Sequence, residues 1–410
     1  MPTSDDPPGF TLKPLPPFKP DLHERAWSST PHPTLPLIAT AHARSVTVFS
    51  LATLSSHSVL QGGHTRSVRA ASWKPGLPPH KLCLISGSFD STAGVWRWDD
   101  NDANERQITS SSEQDDAEGG EWEFTLVLEG HDSEIKSCSF SPSGAHLATC
   151  SRDKSIWIWE DIGASETDDE WETVAVLTEH EGDVKALAWC PDVPGRSRRG
   201  GVYGVDCLAS ASYDDTARVW REDGDAEWVC VAVLEGHTAT VWGVEWEADS
   251  ARTAFPRLLT YSADGTIKVW TLEQEDEEEE EEGGAPTGER TRNGLGGIPN
   301  TMRQSLRENW RCTATLPTAH APSHDIYSAS WSRKTGLVAS TGSDGRLAVY
   351  KENKETGEWE VLGVRENAHG PYEVNHVTWC GRWDGGRGGS EEMLVTTGDD
   401  GVVRPWEVVV

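Results

Sequence analysis

The chain has 410 residues, 36% of them apolar, and a formal net charge of −31. Such an acid excess excludes nucleic-acid binding through bulk electrostatics, and no apolar run approaches the ~18 residues of a membrane-spanning helix. Twenty residues are Trp, far more than a generic core needs, and that excess asks for a repeat.

Residues 1–22 carry no apolar stretch of the kind a secretory signal needs. They are read as an N-terminal segment in which Phe10 to Leu15 adds an outer strand to the last unit of the chain. Residues 23–62 follow as a first, degenerate unit, "RAWSSTPHPTLPLIATAHARSVTVF", with Trp27 and Phe49 in register. By spacing, Ala43 stands there for an acid and Ala39 for a hydroxyl that the later units carry.

Six further units repeat one pattern: a His before an alternating apolar strand, a second strand ending in a hydroxyl, an Asp in a tight turn, and an aromatic closing a third strand. Residues 63–129 hold His64, Ser86, Asp90 and Trp96, and residues 130–178 hold His131, Thr149, Asp153 and Trp159. Residues 179–235 hold His180, Ser210, Asp214 and Trp220, and residues 236–318 hold His237, Thr260, Asp264 and Trp270. Residues 319–367 hold His320, Ser340, Asp344 and Tyr350, and residues 368–410 hold His369, Thr396, Asp400 and Trp406. In every unit the hydroxyl lies four residues before the Asp and the aromatic six after it.

A buried carboxylate in a tight turn is tolerated only when hydrogen-bonded. The four residue types supply such a network: His to Asp, hydroxyl to His, indole N–H to hydroxyl. Ser, His and Asp also make a catalytic triad, but six copies are six structural locks, since catalysis needs one. The pattern therefore predicts an all-β single domain, a seven-bladed β-propeller of WD repeats. Its ring is closed by the N-terminal strand added to the last blade, so that few sheet edges are exposed.

The Asp-to-Asp intervals are 63, 61, 50, 80 and 56, against a bare repeat of about 40–45 residues. The excess falls in insertions at 99–121, 163–171, 193–203, 273–310 and 381–390, read as surface loops. Residues 99–121 carry nine acids against Arg106 alone, and residues 273–282 nine acids in ten positions. Runs of that kind are solvated and do not fold by themselves, so 273–310 is expected to be a disordered loop. None of the eight Cys forms a CxxC pair or a zinc-type cluster. They read as small buried hydrophobes in a reducing compartment, and neither metal nor cofactor is expected to be bound by this chain.

A propeller offers its loops for binding, because the strands are used up in the blades. Two kinds of position face the rim that bears the Asp turns, here called the top. The residue before each Asp is Phe89, Arg152, Tyr213, Ala263, Ser343 or Asp399. The residue after the first apolar anchor of each inner strand is Arg69, Lys136, Lys185, Trp242, Tyr327 or Asn375. The partner-binding candidates are therefore the cations Arg69, Lys136, Arg152 and Lys185 and the aromatics Phe89, Tyr213, Trp242 and Tyr327. Arg and aromatic side chains are common binding anchors, which points to an acidic, aromatic or carboxylate-terminated peptide. Glu134 and Asp183, each beside an anchor, are placed to neutralise Lys136 and Lys185 as local pairs.

The segments "HLATCSRDKSIWIWE" (146–160), "LASASYDDTARVWRE" (208–222) and "EWVCVAVLEGHTATVWGVEW" (227–246) resemble the WD-repeat subunit of the cytosolic iron–sulfur protein assembly (CIA) machinery. "IYSASW" (326–331) and "AHGPYEVNHVTW" (368–379) also fit that family. The resemblance spans nearly the whole propeller and departs from it at 99–121, 273–310 and the first blade. It implies a non-catalytic adaptor that helps insert [4Fe–4S] clusters into apo-proteins of cytosol and nucleus. It further implies work with a small carrier subunit, a large helical-repeat scaffold, an iron-only hydrogenase-like protein, and client proteins with short C-terminal tails ending in an aromatic residue. The family's important Arg before the third repeat's Asp falls on Arg152. A substrate receptor of a ubiquitin ligase is the competing reading, although nothing in the chain resembles an F-box or a ligase-docking helix. An enzyme would need convergent acid, base or metal ligands that the locks leave unavailable.

Overall fold

The computed structural model describes residues 10–99, 121–163, 169–191, 207–223, 227–248, 257–273 and 307–409. Most of the insertions at 99–121, 193–203 and 273–310 lie outside the described residues. Among these residues, twenty-eight strands arrange into seven four-stranded antiparallel sheets.

Strand β1 spans Thr11–Pro14. Blade 1 follows as β2 (Ala26–Pro31), β3 (Leu37–His42), β4 (Ser45–Ser50) and β5 (Ser55–Leu60). Blade 2 holds β6 (Val68–Trp73), β7 (Lys81–Ser88), β8 (Ala93–Asp99) and β9 (Trp122–Leu128); blade 3 holds β10 (Ile135–Phe140), β11 (His146–Ser151), β12 (Ile156–Asp161) and β13 (Trp171–Leu177). Blade 4 holds β14 (Val184–Trp189), β15 (Cys207–Ser212), β16 (Thr216–Glu222) and β17 (Trp228–Glu235); blade 5 holds β18 (Val241–Trp246), β19 (Leu258–Ser262), β20 (Ile267–Leu272) and β21 (Trp310–Thr315). Blade 6 holds β22 (Ile326–Trp331), β23 (Val338–Gly342), β24 (Leu347–Glu352) and β25 (Trp359–Arg365); blade 7 holds β26 (Val374–Arg382), β27 (Glu391–Gly398) and β28 (Val403–Val409).

Ring closure is as the sequence predicts. β1 is the fourth strand of blade 7, with Thr11 opposite Val409 and Pro14 opposite Trp406. Each second strand is buried on both faces, for example Cys207–Ser212 along its whole length. This is why these strands read as unbroken runs of small and apolar residues. Apolar clusters fill the space between neighbouring blades. One joins Val219 and Ala211 of blade 4 to Val244, Trp246 and Trp270 of blade 5. Another joins Leu347 and Val349 of blade 6 to Phe10, Trp379 and Trp406 around blade 7.

Three expectations need correction. The insertion at 381–390 is not wholly a loop: β26 runs on to Arg382, whose guanidinium is buried against Asp384 and Glu407. The 273–310 loop is shorter at its far end. Glu308 N–H donates to Val231 O at 2.9 Å, its carboxylate pairs with Arg221 at 3.0 Å, and Trp310 opens β21 as a buried residue. In blade 1 the hydroxyl position is Thr40, not Ala39. Thr40 faces Thr47 as Ser86 faces Gly94 in blade 2, so the blade 1 hairpin is one residue shorter and fixed spacing lands one position early. Thr40 Oγ1 lies 2.8 Å from Ser29 Oγ, so this blade is pinned by a pair of hydroxyls instead of by a His.

Candidate functional site: the locked upper rim

The six locks have one geometry. His Nδ1 lies 2.8–3.2 Å from the Asp carboxylate in the pairs His64–Asp90, His131–Asp153, His180–Asp214, His237–Asp264, His320–Asp344 and His369–Asp400. His Nε2 lies 2.7–2.9 Å from Ser86, Thr149, Ser210, Thr260, Ser340 and Thr396. The indoles of Trp96, Trp159, Trp220, Trp270 and Trp406 donate to five of those hydroxyls at 2.8–3.1 Å, and Tyr350 Oη lies 3.1 Å from Ser340 Oγ.

Donors and acceptors close in one direction. Because the indole N–H donates to the hydroxyl, the hydroxyl hydrogen is left for His Nε2. The neutral imidazole then carries its hydrogen on Nδ1 and donates it to the carboxylate. Each carboxylate takes further backbone bonds. Asp153 accepts Asp132 N–H at 3.0 Å and Ser155 N–H at 2.9 Å. Burial alone would push these carboxyls up, but the bonds from His and from the turn hold Asp90, Asp153, Asp214 and Asp264 well below the usual carboxylate range, and Asp344 at about 2. Buried networks satisfied at every atom fix one packing, so the locks set the turns that carry Phe89, Arg152 and Tyr213.

The second set of rim positions has a structural cause that spacing alone does not reveal. Each falls on a register shift in the innermost strand pair: Arg69 between Val68 and Ala70, Lys136 between Ile135 and Ser137, Lys185 between Val184 and Ala186. Trp242, Tyr327 and Asn375 occupy the same place in blades 5 to 7. A β-bulge re-aims one side chain out of the alternating pattern; here it turns that side chain toward the mouth of the central channel. Blade 1 contributes a seventh, Trp27, between Ala26 and Ser28. Sequence reasoning missed Trp27 as a rim residue, although its place one residue after the anchor Ala26 could have found it.

The channel below is a cavity of about 550 Å³, lined by the inner strands and including Arg69, Lys136, Lys185, Trp242, Tyr327 and Asn375. The structure places the predicted cations unequally. The Lys136 ammonium pairs with Glu134 at 2.7 Å and lies 4.3 Å from the Phe89 ring centroid. The Lys185 ammonium pairs with Asp183 at 3.1 Å and lies over Tyr213 and Trp242 at 5.3 and 5.4 Å. Arg69 stacks on Trp27 at 4.9 Å, deep enough that burial pushes its guanidinium down to about 10. Arg152 alone of the four stands well out: its side chain is 59% exposed, against 15% for Lys136 and 13% for Lys185. Trp242 donates from its indole to Asp325 at 3.1 Å and meets Tyr327 edge-on at 5.4 Å. The rim is therefore an alternation of rings, cations and acids, and the local pairs that Glu134 and Asp183 make keep it from being a plain positive patch.

Among the described residues no group of three or more His, Cys, Asp or Glu side chains is placed to hold a metal ion. No helix among them is long and apolar enough to cross a membrane. Burial pushes the thiols of Cys83 and Cys138 up to about 12, away from the thiolate that metal ligation uses.

Seven bulged blades around a channel, six of them locked, define a WD-repeat β-propeller protein. The family description "WD domain, G-beta repeat" matches residues 122–160, 171–221, 228–271 and 310–351. Each matched stretch runs from the outer strand of one blade through the first three strands of the next, so the sequence repeat itself ties neighbouring blades together. The chain is 58% identical to the "Probable cytosolic iron-sulfur protein assembly protein 1" of Pyricularia oryzae, with 98% of this chain and 97% of the relative covered. It is 55% identical to the protein of that name from Neurospora crassa (97% and 95% covered) and 42% identical to the one from Aspergillus terreus (95% and 96% covered). The chain belongs to the cytosolic iron–sulfur protein assembly protein 1 family.

Proposed function

We propose that this protein is a non-catalytic adaptor of cytosolic iron–sulfur protein assembly that docks partners and clients on its upper rim. The observation that carries this reading is the ring of re-aimed side chains around the channel mouth, with Arg152 and Tyr213 exposed beside it. Rigid rings bind with little ordering cost, and arginine and aromatic side chains are common binding anchors. The alternation of cations and acids suits a polypeptide that carries both charge and an aromatic side chain. The relatives' names supply the process; the rim supplies a way to serve it.

In this reading the [4Fe–4S] cluster is cargo held elsewhere in the assembly, and this chain binds no cofactor. Partners are those the family resemblance implies: the small carrier subunit, the helical-repeat scaffold, the iron-only hydrogenase-like protein and the client apo-proteins. The working place is the cytosol, with nuclear clients served by the same complex.

Arg152→Glu tests it. The variant should melt with the wild type and fail to co-purify the iron–sulfur assembly proteins that the wild type captures. Unchanged capture of every partner removes Arg152 from the site. Capture by the wild type of a ubiquitin-ligase scaffold, with no iron–sulfur assembly protein, overturns the reading as a whole.

A further inference from the structure

The two inner strands of a blade end at the lower rim in one last residue pair, and the propeller repeats that pair blade by blade. In blade 5 it is Glu247 and Arg257. Glu247 N–H donates to Arg257 O at 2.9 Å, and the two side chains meet at 2.7 Å. In blade 2 it is Lys74 and Cys83, joined by the same backbone bond at 2.9 Å. In blade 4 both members are cysteines: Cys190 N–H donates to Cys207 O at 2.8 Å.

Register and packing fix the directions of the two thiols. Trp189 stands opposite Leu208, so the next pair outward is Cys190 opposite Cys207. Trp189 and Leu208 face the apolar cluster shared with blade 3, whereas Cys190 and Cys207 together face the one shared with blade 5. Directly opposed residues of a hydrogen-bonded antiparallel pair have Cα atoms about 5.5 Å apart, inside the ~4.4–6.8 Å range of disulfides. Cys138 and Cys150 give the contrast. They are neighbours in register, but Cys138 faces Thr149 and Cys150 faces Ser137, and the two lie in different apolar clusters.

We propose that Cys190 and Cys207 form a dithiol–disulfide modification site that closes across β14 and β15 under peroxide stress. A peroxide oxidises one thiol to a sulfenic acid and leaves as water. The second thiol's sulfur attacks the sulfenic sulfur, the S–S bond forms, and the hydroxyl departs with the thiol proton as a second water. Two thiols and one hydrogen peroxide thus give one disulfide and two waters. The pair is buried, at 3% and 0% exposure, but among the described residues it is the last of the ladder, where strand pairs open most readily. The new bond would join the two ends of residues 191–206, including the basic run Arg196, Arg198 and Arg199. In a reducing cytosol a disulfide of this kind is transient.

The test uses the full chain exposed to hydrogen peroxide, denatured, alkylated and cut with trypsin. Cleavage after Arg196, Arg198 and Arg199 puts the two cysteines on separate peptides. The expected result is a linked peptide pair bearing Cys190 and Cys207, two hydrogens lighter than its reduced parts and released by dithiothreitol, with Cys138 and Cys150 alkylated. Full alkylation of Cys190 and Cys207, their bonding to other cysteines, or their conversion to sulfinic acid overturns the proposal. In Cys207→Ser, Cys190 should appear in no linked peptide after the same treatment; should that variant not fold, the wild-type peptide map decides alone.

Discussion

Asp153→Ala removes the carboxylate of one lock while leaving its neighbour Arg152 in place. Four donors lose their acceptor, one of them the Ser155 hydroxyl at 2.6 Å, which can rotate to a new partner. His131 Nδ1 at 2.8 Å belongs to a side chain only 1% exposed, so no water replaces the bond. Ser155 N–H at 2.9 Å is partly buried, and Asp132 N–H at 3.0 Å lies where water reaches it. One buried donor and one partly buried donor left unsatisfied cost about 1–3 kcal/mol each at the buried end of the scale and less at the exposed end. The sum is about 3 kcal/mol. Arg152→Glu should behave in the opposite way. Its guanidinium approaches Glu134 only to 3.9 Å, and Glu134 keeps Lys136 at 2.7 Å and Arg66 at 2.9 Å, so the change should stay within about 0.5 kcal/mol. Thermal melts at one scan rate, backed by urea unfolding, compare the two adjacent variants. Equal melting of Asp153→Ala and wild type, or an equally large drop for Arg152→Glu, would falsify the account of the locks.

The locks also set the response to acid. Their aspartates sit below the usual carboxylate range, so their contribution is complete above about pH 4–5, where an unfolded Asp is ionised, and is lost as pH falls through the folded value, about 2 for Asp344; a melting temperature that stays level from pH 5 to pH 2.5 would contradict this. Arg257→Met takes the cation from Glu247 and Glu352, which it holds at 2.7 and 2.6 Å between blades 5 and 6; breaking a buried ion pair by removing one member should cost about 3–5 kcal/mol, read in the same melts. Gly342→Ala would set a Cβ 2.1 Å from the Asp325 carbonyl oxygen, which is backbone and cannot swing aside; an overpacking cost of about 1–3 kcal/mol is expected, and a neutral result would mean that β22 shifts freely.

The blades were legible because the lock uses four chemically distinct residues at fixed offsets, and no other arrangement explains six copies of them. Spacing failed where the backbone changed length. A hairpin one residue shorter in blade 1 hid Thr40 behind Ala39. The rim positions could be picked by their distance from an apolar anchor, yet the reason for their outward turn, the bulge, is a property of strand pairing that a single strand does not display. Exposure was the least legible quantity. Arg69 and Arg152 are the same residue type, but one lies against Trp27 inside the ring and the other stands in water. The staple of Arg257 with Glu247 and Glu352 was not foreseen at all, because Arg257 and Glu352 are 95 positions apart and meet only once two blades are side by side.

Blade 7 takes its fourth strand from the other end of the chain, with Leu12 against Val408 and Lys13 against Glu407. During synthesis β1 must therefore wait, its hydrogen-bonding edge unmatched, while the ribosome makes six blades and three more strands. Until β28 emerges, the growing arc exposes the flanks of its first and last blades, and the nascent protein is open to chaperones and to sticking. The same joint makes the inter-blade linkers near equivalents of one another: a version cut between two blades and rejoined through a short linker at β1 and β28 should assemble the same ring.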